Sequence, residues 1–321
     1  MTNPRIAIAD SVFPNLDPAM EIFSALDATV TLAEDSTTEA IVEVARDADA
    51  LMVTFAQITS EVIGELRNCR AIGRFGIGVD NIDIDVATEA GIQVCYVPDY
   101  CLDEVSDHAL ALLMSLARKI TYSNALVQSG RWEGKAVAPL RRLRGQTLGL
   151  VGLGKIPQTL VPKAKALELH VVAYDPYISA DVAAGLDVQL LSFDELLAVS
   201  DYISLHAPLT EETRNLFDED AFAKTKPEAL LINTARGPMI DEQALANALD
   251  AGRLSGAGLD VMPNEPPAAD CPLLNRDNVI LTPHTAYYSE DALLDLQTKA
   301  ARDVARVLSG EAPVYPFNRL T

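Results

Sequence analysis

The amino-acid sequence predicts an α/β protein with two doubly wound parallel-sheet domains, and three observations lead to this expectation. The chain has 321 residues, 49% of them hydrophobic, which suffices for about two domains with sizeable cores. Short runs of aliphatic and β-branched residues alternate with helical patterns along the chain, as in parallel sheets that are covered on both faces. Near the middle, a glycine-containing turn joins a strand-like run to a helical stretch.

The first hundred residues contain five strand-like runs. Helical patterns, for example at 38–46 and 58–67, lie between them. Five such units are typical of a flavodoxin-like doubly wound sheet. The runs lie at 5–10, 29–32, 50–54, 71–75 and 92–97.

A second series of strands follows a long helical segment, which we expect from about 102 to 129. Its six strands predict a Rossmann-like sheet. The stretch 262–272 is rich in proline and acidic residues and predicts a loop, and 290–308 predicts a final amphipathic helix. The six strands are expected at 147–151, 170–174, 202–205, 230–232, 256–260 and 279–282.

The turn after the first strand of this second series has the pattern of a dinucleotide-binding loop. Gly152 permits a tight turn, and Gly154 lets the backbone approach a pyrophosphate at a helix N-terminus. Pro157 stands where such loops normally have a third glycine. Asp175, at the end of the next strand, would accept hydrogen bonds from an adenosine ribose and repel a 2′-phosphate. These features favour NAD over NADP; the alternative is an ordinary turn in which Asp175 caps the helix after Pro176.

Composition and charge argue against several other functions. The 25 Lys and Arg residues and 46 Asp and Glu residues give a net charge of −21, and so acidic a chain would be repelled by nucleic acids and anionic membranes. No run approaches the roughly 20 apolar residues that cross a bilayer, and no secretory signal is evident. The four cysteines lack metal-ligand spacing. We therefore expect a cytoplasmic protein with reduced thiols, no metal and no direct nucleic-acid partner.

Seven separated motifs point to one protein family. They are GIGVDNID at 76–83, GLG at 152–154, HAPLTEET at 206–213, NTARGPMID at 233–241, GLDV at 258–261, NEP at 264–266 and PH at 283–284. By these motifs the chain resembles the D-isomer-specific 2-hydroxyacid dehydrogenases over essentially its whole length. DNIDI at 80–84 and PHTAYYSE at 283–290 look most similar to the C-terminal-binding-protein-like branch, which includes transcriptional corepressors as well as enzymes.

The resemblance implies a domain arrangement. Residues 1–100 and 288–321 would form a discontinuous flavodoxin-like substrate domain, and residues 101–287 a Rossmann NAD-binding domain. The last helix would return to the first domain, with the active site in the cleft between the domains. Family members pair through the long helix and the arm before the glycine turn, here residues 131–144, so we expect a homodimer.

The resemblance also implies three catalytic residues. His284 matches the acid/base of the family, and Glu265 its carboxylate partner, which would favour the imidazolium form. Arg236 could pair with a substrate carboxylate and polarise the adjacent carbonyl. Formate dehydrogenases of the same fold are disfavoured because they have Gln in place of Glu265.

Further residues are expected to contact cofactor and substrate. Asp260 matches the residue that orients the nicotinamide carboxamide. The N–H groups of 77–79 could bind a carboxylate; Arg74 is either a second anion contact or an ion-paired strand residue. The expected cofactor contacts are Gly152, Leu153, Gly154, Lys155, Ile156, Pro157, Asp175, His206, Ala207, Pro208, Thr213, Thr234, Ala235, Arg236, Asp260 and His284. The expected substrate contacts are Arg74, Ile77, Gly78, Val79, Arg236 and Tyr287.

Two functions follow from these patterns. The first is an NAD-dependent dehydrogenase that transfers a hydride between NAD(H) and a small 2-hydroxy or 2-keto acid, with His284 as acid/base. The second is an NAD(H)-binding sensor or corepressor-like protein with vestigial activity. The complete set of Arg236, Glu265 and His284 favours the enzyme.

Overall fold

The computed structural model describes residues 3–320, which form two units. One unit holds the described residues up to Tyr100 together with the chain from Ser289 onward, and the other is Cys101–Tyr288. Each unit is built on its own parallel β-sheet with helices between the strands.

The strands are short, as in most doubly wound folds. In chain order they are β1 (Arg5–Ile8), β2 (Thr29–Leu32), β3 (Ala50–Val53), β4 (Ala71–Arg74), β5 (Gln93–Cys95), β6 (Thr147–Val151), β7 (His170–Tyr174), β8 (Gln189–Leu190), β9 (Tyr202–Leu205), β10 (Ala229–Asn233), β11 (Leu254–Leu259) and β12 (Val279–Leu281).

The helices connect these strands and cover the sheets. In chain order they are α1 (Asp17–Ser24), α2 (Thr38–Ala45), α3 (Ser60–Glu65), α4 (Ile84–Glu89), α5 (Leu102–Ala117), α6 (Ile120–Gln128), α7 (Lys155–Ala166), α8 (Ala180–Gly185), α9 (Phe193–Val199), α10 (Glu219–Lys224), α11 (Glu242–Asp250) and α12 (Glu290–Leu308).

The first unit has a five-stranded sheet in the order β2-β1-β3-β4-β5, which confirms the flavodoxin-like fold. Every residue of the central strand β3 is buried. Helix α12 lies against β4, where a Cβ atom on Gly73 would come within 2.5 Å of Val304 Cγ2. The glycine therefore lets the last helix approach the sheet closely.

The second unit has a seven-stranded sheet in the order β12-β11-β10-β9-β6-β7-β8, and all its pairings are parallel. The order reverses between β9 and β6, so the carboxyl ends of these strands flank the crevice in which doubly wound sheets bind ligands. The Rossmann fold is confirmed.

Local sequence explains where several helices begin. Ser192 precedes α9 and accepts a hydrogen bond from the Glu195 N–H, while the Glu195 side chain accepts one from the Ser192 N–H, a complete capping box. Asp218, Asp241 and Ser289 cap α10, α11 and α12 in the same way through one side-chain oxygen.

Two expectations about the second unit were wrong. The single helix expected at 102–129 is two helices, because Lys119 adopts a left-handed backbone conformation with φ of 50° that ends the helical path between α5 and α6. The sheet has seven strands instead of six, because the two residues of β8 pair with the edge of β7. A strand of two residues leaves no run that a sequence pattern can detect.

The loop expected at 262–272 and the final helix at 290–308 are both present. Among residues 3–320, each helix is too short or too polar to cross a membrane.

Candidate active site and cofactor loop

The glycine turn connects β6 to α7 at the carboxyl edge of the second sheet. Gly152 has a φ of 95°, and a Cβ atom there would lie 2.9 Å from the Ala207 backbone nitrogen. Gly154 precedes α7, and open space surrounds the position of its missing Cβ atom. Such a turn exposes backbone to a ligand at the N-terminus of a twelve-residue helix.

Pro157 is buried in the first turn of α7. It removes one of the N–H groups that a helix N-terminus normally offers, so Lys155 and Ile156 are the donors that remain in this turn. The helix continues through a second proline, Pro162, to Ala166.

Asp175 follows β7 and holds the glycine turn. Its Oδ2 atom accepts a hydrogen bond from Leu153 N–H at 2.8 Å. Its Oδ1 atom accepts from Tyr177 N–H at 2.9 Å and from Ile178 N–H at 3.1 Å. Ser179, and not Asp175, caps the next helix. A carboxylate has about four lone-pair sites, so Asp175 retains capacity for ribose hydroxyls.

Two other expected cofactor residues shape the loop after β9. His206 Nε2 lies 2.8 Å from Ser204 Oγ, and burial lowers the pKa of His206 to about 4, so its ring is neutral at pH 7. The Thr213 hydroxyl donates to the Pro208 carbonyl oxygen at 2.7 Å. The loop is therefore braced by its own side chains beside Gly152.

His284 and Glu265 form a hydrogen-bonded pair in the second unit. His284 Nδ1 lies 2.7 Å from Glu265 Oε2. Burial alone would raise the pKa of Glu265, but the hydrogen bond and charge of His284, the Met262 N–H and the charge of Arg236 outweigh it and lower that pKa. Glu265 is thus ionised at neutral pH and presents a negative charge to the imidazole of His284.

The backbone of His284 is strained and held by Asp260. Its φ is 52°, in the left-handed region that histidine seldom adopts. The His284 N–H donates to the Asp260 carbonyl oxygen at 2.8 Å. The Asp260 carboxylate accepts from the N–H groups of Thr285 at 2.9 Å and Ala286 at 2.8 Å. Asp260, expected only to orient a nicotinamide, also fixes the segment that carries His284.

Sequence reasoning missed His108, which lies on α5. Its Nε2 atom is 2.9 Å from Thr282 Oγ1 and 3.5 Å from Asp260 Oδ1. The sequence signal that could have revealed it is a histidine directly before the apolar face of α5, which Ala109, Leu112 and Leu113 form.

Arg236 follows β10 in a turn that Asn233 organises. The buried Asn233 amide donates to the Arg236 carbonyl oxygen at 2.9 Å, and its oxygen accepts from Ala235 N–H at 2.9 Å. Thr234 Oγ1 is buried and finds no hydrogen-bond partner among residues 3–320. Such an orphaned hydroxyl is suited to a bound ligand, so the cofactor residues present fit NAD.

Tyr287 lies beside His284, with ring centres 6.1 Å apart in an edge-to-face arrangement. The remaining expected substrate residues lie in the first unit. Arg74 ends β4 and is buried, and its guanidinium carbon lies 5.7 Å from the centre of the Phe55 ring. Ile77, Gly78 and Val79 follow in the next loop.

A family model and several known proteins match the chain. The model of the D-isomer specific 2-hydroxyacid dehydrogenase, NAD binding domain, matches residues 110–286, more than half of the chain. The D-3-phosphoglycerate dehydrogenase of Archaeoglobus fulgidus is 42% identical over 254 residues, which cover 79% of this chain and 48% of that protein. The chain spans about half the length of the curated relatives it matches.

Solved structures match over almost the whole chain. The D-lactate dehydrogenase of Aquifex aeolicus, in complex with NAD and lactic acid, has a TM-score of 0.87 and 27% identity, with 96% of each chain covered. A glyoxylate reductase from Paecilomyes thermophila has a TM-score of 0.90 and 27% identity, with 99% of each covered. The chain belongs to the D-isomer-specific 2-hydroxyacid dehydrogenase family.

Proposed function

We propose that this chain is an NAD-dependent 2-keto acid reductase, acting equally in reverse as a D-2-hydroxyacid dehydrogenase, with His284 as its acid/base. The observation that carries the proposal is the 2.7 Å hydrogen bond between His284 and an ionised Glu265. This pair can hold a proton at a defined ring atom and deliver it to a substrate.

The ring atom that delivers the proton is Nε2. Glu265 engages Nδ1, which leaves Nε2 for the substrate oxygen, and a carboxylate at one ring nitrogen fixes the tautomer and orientation of the other. NADH, when bound, supplies the hydride that reduces the keto carbon. Arg236 would bind the substrate carboxylate with its planar guanidinium and orient the adjacent carbonyl.

The glycine turn, Asp175, the 206–213 loop, Thr234, Ala235 and Asp260 would hold NAD. The carboxylate of Asp175 supports NAD over NADP, because it would repel a 2′-phosphate and is followed by Pro176 and Tyr177 instead of a cation. We further propose that the second unit is the NAD-binding domain and the first the substrate domain. In the first, the N–H groups of Ile77, Gly78 and Val79 would form an anion-binding loop, and Arg74 would be a second anion contact.

We also propose a homodimer formed by α5, α6 and the arm at 131–144. Three large apolar side chains in and before this arm are exposed: Trp132 by 88%, Ile120 by 56% and Val127 by 47%. Large apolar side chains left exposed along one stretch of the chain favour association. Sedimentation at micromolar concentration should show a species of twice 34.5 kDa; a 34.5 kDa species alone would contradict the dimer.

The activity is tested by following NADH absorbance with glyoxylate, pyruvate and hydroxypyruvate. We expect at least one of them to oxidise NADH at a rate proportional to enzyme concentration. NADH binding without turnover of any keto acid would contradict the proposal and favour the second function, a sensor or corepressor-like protein of the C-terminal-binding-protein-like branch.

A further inference from the structure

We infer that the substrate of this chain is a 2-keto acid with an uncharged, apolar side chain, and not the phosphorylated acid named for its curated relatives. The inference rests on the proposed function and concerns the part of the substrate beyond the reacting carbons. It is carried by the loops that follow the strands of the first sheet, the edge at which doubly wound sheets bind ligands.

These loops contain almost no positive charge. They are residues 9–16, 33–37, 54–59, 75–83 and 96–101, all in the described part of the chain. None contains Lys, Arg or His, and Arg74 precedes one of them as the last residue of β4. The same loops carry six acidic residues: Asp10, Glu34, Asp35, Asp80, Asp83 and Asp99.

The next cation near this edge is already neutralised. Lys299 of α12 lies 3.4 Å from Asp99 Oδ1 and 3.0 Å from Asp295 Oδ2. A substrate with a carboxylate and a phosphate needs cationic partners for both groups. Arg74, the arginine that ends β4, is buried and donates to the Phe75 carbonyl oxygen. Beyond it and the 77–79 amides, these loops supply no partner for a phosphate, and their carboxylates repel it.

The same edge offers apolar surface. Phe55 is 38% exposed and Val12 is 45% exposed, although both are large and hydrophobic. Phe13 packs edge-to-face on the buried Phe75, with ring centres 5.0 Å apart. Ligand pockets are lined mainly by such side chains, with a few polar groups that fix orientation.

Asp10 fixes the position of Phe55 through the backbone. Its Oδ1 atom accepts from Thr54 N–H at 2.7 Å and its Oδ2 atom from Phe55 N–H at 2.6 Å. The charge of Asp10 is thus used to hold the loop that presents the phenyl ring. The exposed side chains of Phe55 and Val12 form what we call the apolar wall. Together with the acidic residues of the same loops, this wall favours an uncharged substrate side chain.

The test compares 2-oxobutanoate with 3-phosphohydroxypyruvate as substrates of the full chain at saturating NADH. We expect kcat/KM to be about 100-fold higher for 2-oxobutanoate, because the phosphate would be desolvated without a partner. An equal or higher kcat/KM for 3-phosphohydroxypyruvate would overturn the inference.

Two variants at one position provide a matched comparison. Phe55→Arg adds a cation to the wall and should shift the ratio at least about tenfold toward 3-phosphohydroxypyruvate. Phe55→Leu keeps the wall apolar and should leave the preference on the side of 2-oxobutanoate. The same ratio in both variants would show that this wall does not contact the substrate side chain.

Binding separates this inference from the proposed activity. Calorimetric titration in the presence of NADH should show tighter binding of D-2-hydroxybutanoate than of D-3-phosphoglycerate. That order without any turnover of keto acids would contradict the proposed activity and support the inference. The reverse order contradicts the inference whatever the turnover, and binding of neither acid contradicts both.

Discussion

The Thr282 hydroxyl lies 2.6 Å from Asp260 Oδ1 and donates a hydrogen bond to it. Because a carboxylate can only accept, the hydroxyl proton is committed to Asp260, and the Thr282 oxygen is left to accept from His108 Nε2 at 2.9 Å. The chain of donors therefore runs from His108 through Thr282 to Asp260. Asp260 in turn holds the two N–H groups that follow His284.

From this relationship we predict that His108 is a positioning residue for His284. His108→Phe should lower kcat for keto acid reduction by roughly 10- to 100-fold, the usual cost of a small misplacement of a reacting group. KM for the keto acid should change little. His108→Gln keeps an N–H donor and should recover most of kcat.

Steady-state kinetics with one good keto acid measures both effects, and thermal unfolding checks that each variant is folded. The Thr282→Val variant removes the hydroxyl that links His108 to Asp260. The double variant of His108→Phe and Thr282→Val should be no slower than the worse single variant. Parental kcat in His108→Phe would show that the chain of hydrogen bonds does not reach His284.

The charge of Glu265 should set the pH range of the reaction. Burial opposes its ionisation, but the hydrogen bond and charge of His284 lower the pKa of Glu265 below the ordinary 4.5, so at neutral pH a negative charge lies 2.7 Å from the His284 ring. Glu265→Gln removes that charge, and keto acid reduction should then lose activity at a lower pH than in the parent.

A pH–rate profile of kcat/KM measures this shift. Glu242→Gln serves as the control, because Glu242 contacts Cys271 and not His284. The control profile should coincide with that of the parent. If the Glu265→Gln profile coincides with it too, the two residues are not coupled in catalysis.

Cofactor choice should depend on Asp175. The parent should use NADH more efficiently than NADPH, and Asp175→Asn should reduce that preference about tenfold, since one repulsion of roughly 1.4 kcal/mol is removed. Asp175→Ala should do the same and also weaken NADH use, because Leu153 N–H loses its acceptor. The measurement is the ratio of kcat/KM for the two cofactors; equal use by the parent would refute the assignment.

The partly buried His206 should make the protein sensitive to mild acid. Its pKa is about 4 in the folded state, below the ordinary 6.5, so the unfolded chain binds a proton first as pH falls. The contribution of neutral His206 to the free energy of unfolding is fully present above pH 6.5 and decreases as the pH falls from 6.5 toward 4. Between pH 7 and 5 the free energy of unfolding should fall by roughly 2 kcal/mol more in the parent than in His206→Gln.

Urea unfolding at the two pH values, without cofactor, gives this difference. The glutamine retains a hydrogen-bonding partner for Ser204. An equal loss in parent and variant would mean that His206 does not titrate between these limits.

Most of the fold could be predicted from sequence because buried parallel strands are continuous apolar runs separated by amphipathic helices. The break at Lys119 could not, since nothing in the residue type demands a left-handed backbone there. Motif positions predicted that His284 and Glu265 belong together, and the structure places them in contact.

The support behind His284 was not predictable in the same way. His108, Asp260 and Thr282 come from α5, from the end of β11 and from the end of β12. Their hydrogen bonds depend on how these elements pack, which sequence spacing does not encode. Side-chain networks that join distant segments are thus found only once the fold is known.

The most direct test of the central claim is the rate of keto acid reduction in His284→Ala at saturating NADH. Removing the proton donor should lower kcat by roughly 10²- to 10⁴-fold, the usual share of general acid–base catalysis. NADH affinity, measured by fluorescence titration, should stay near the parental value as evidence of an intact cofactor loop. A kcat near that of the parent would contradict the assignment of His284 as the acid/base.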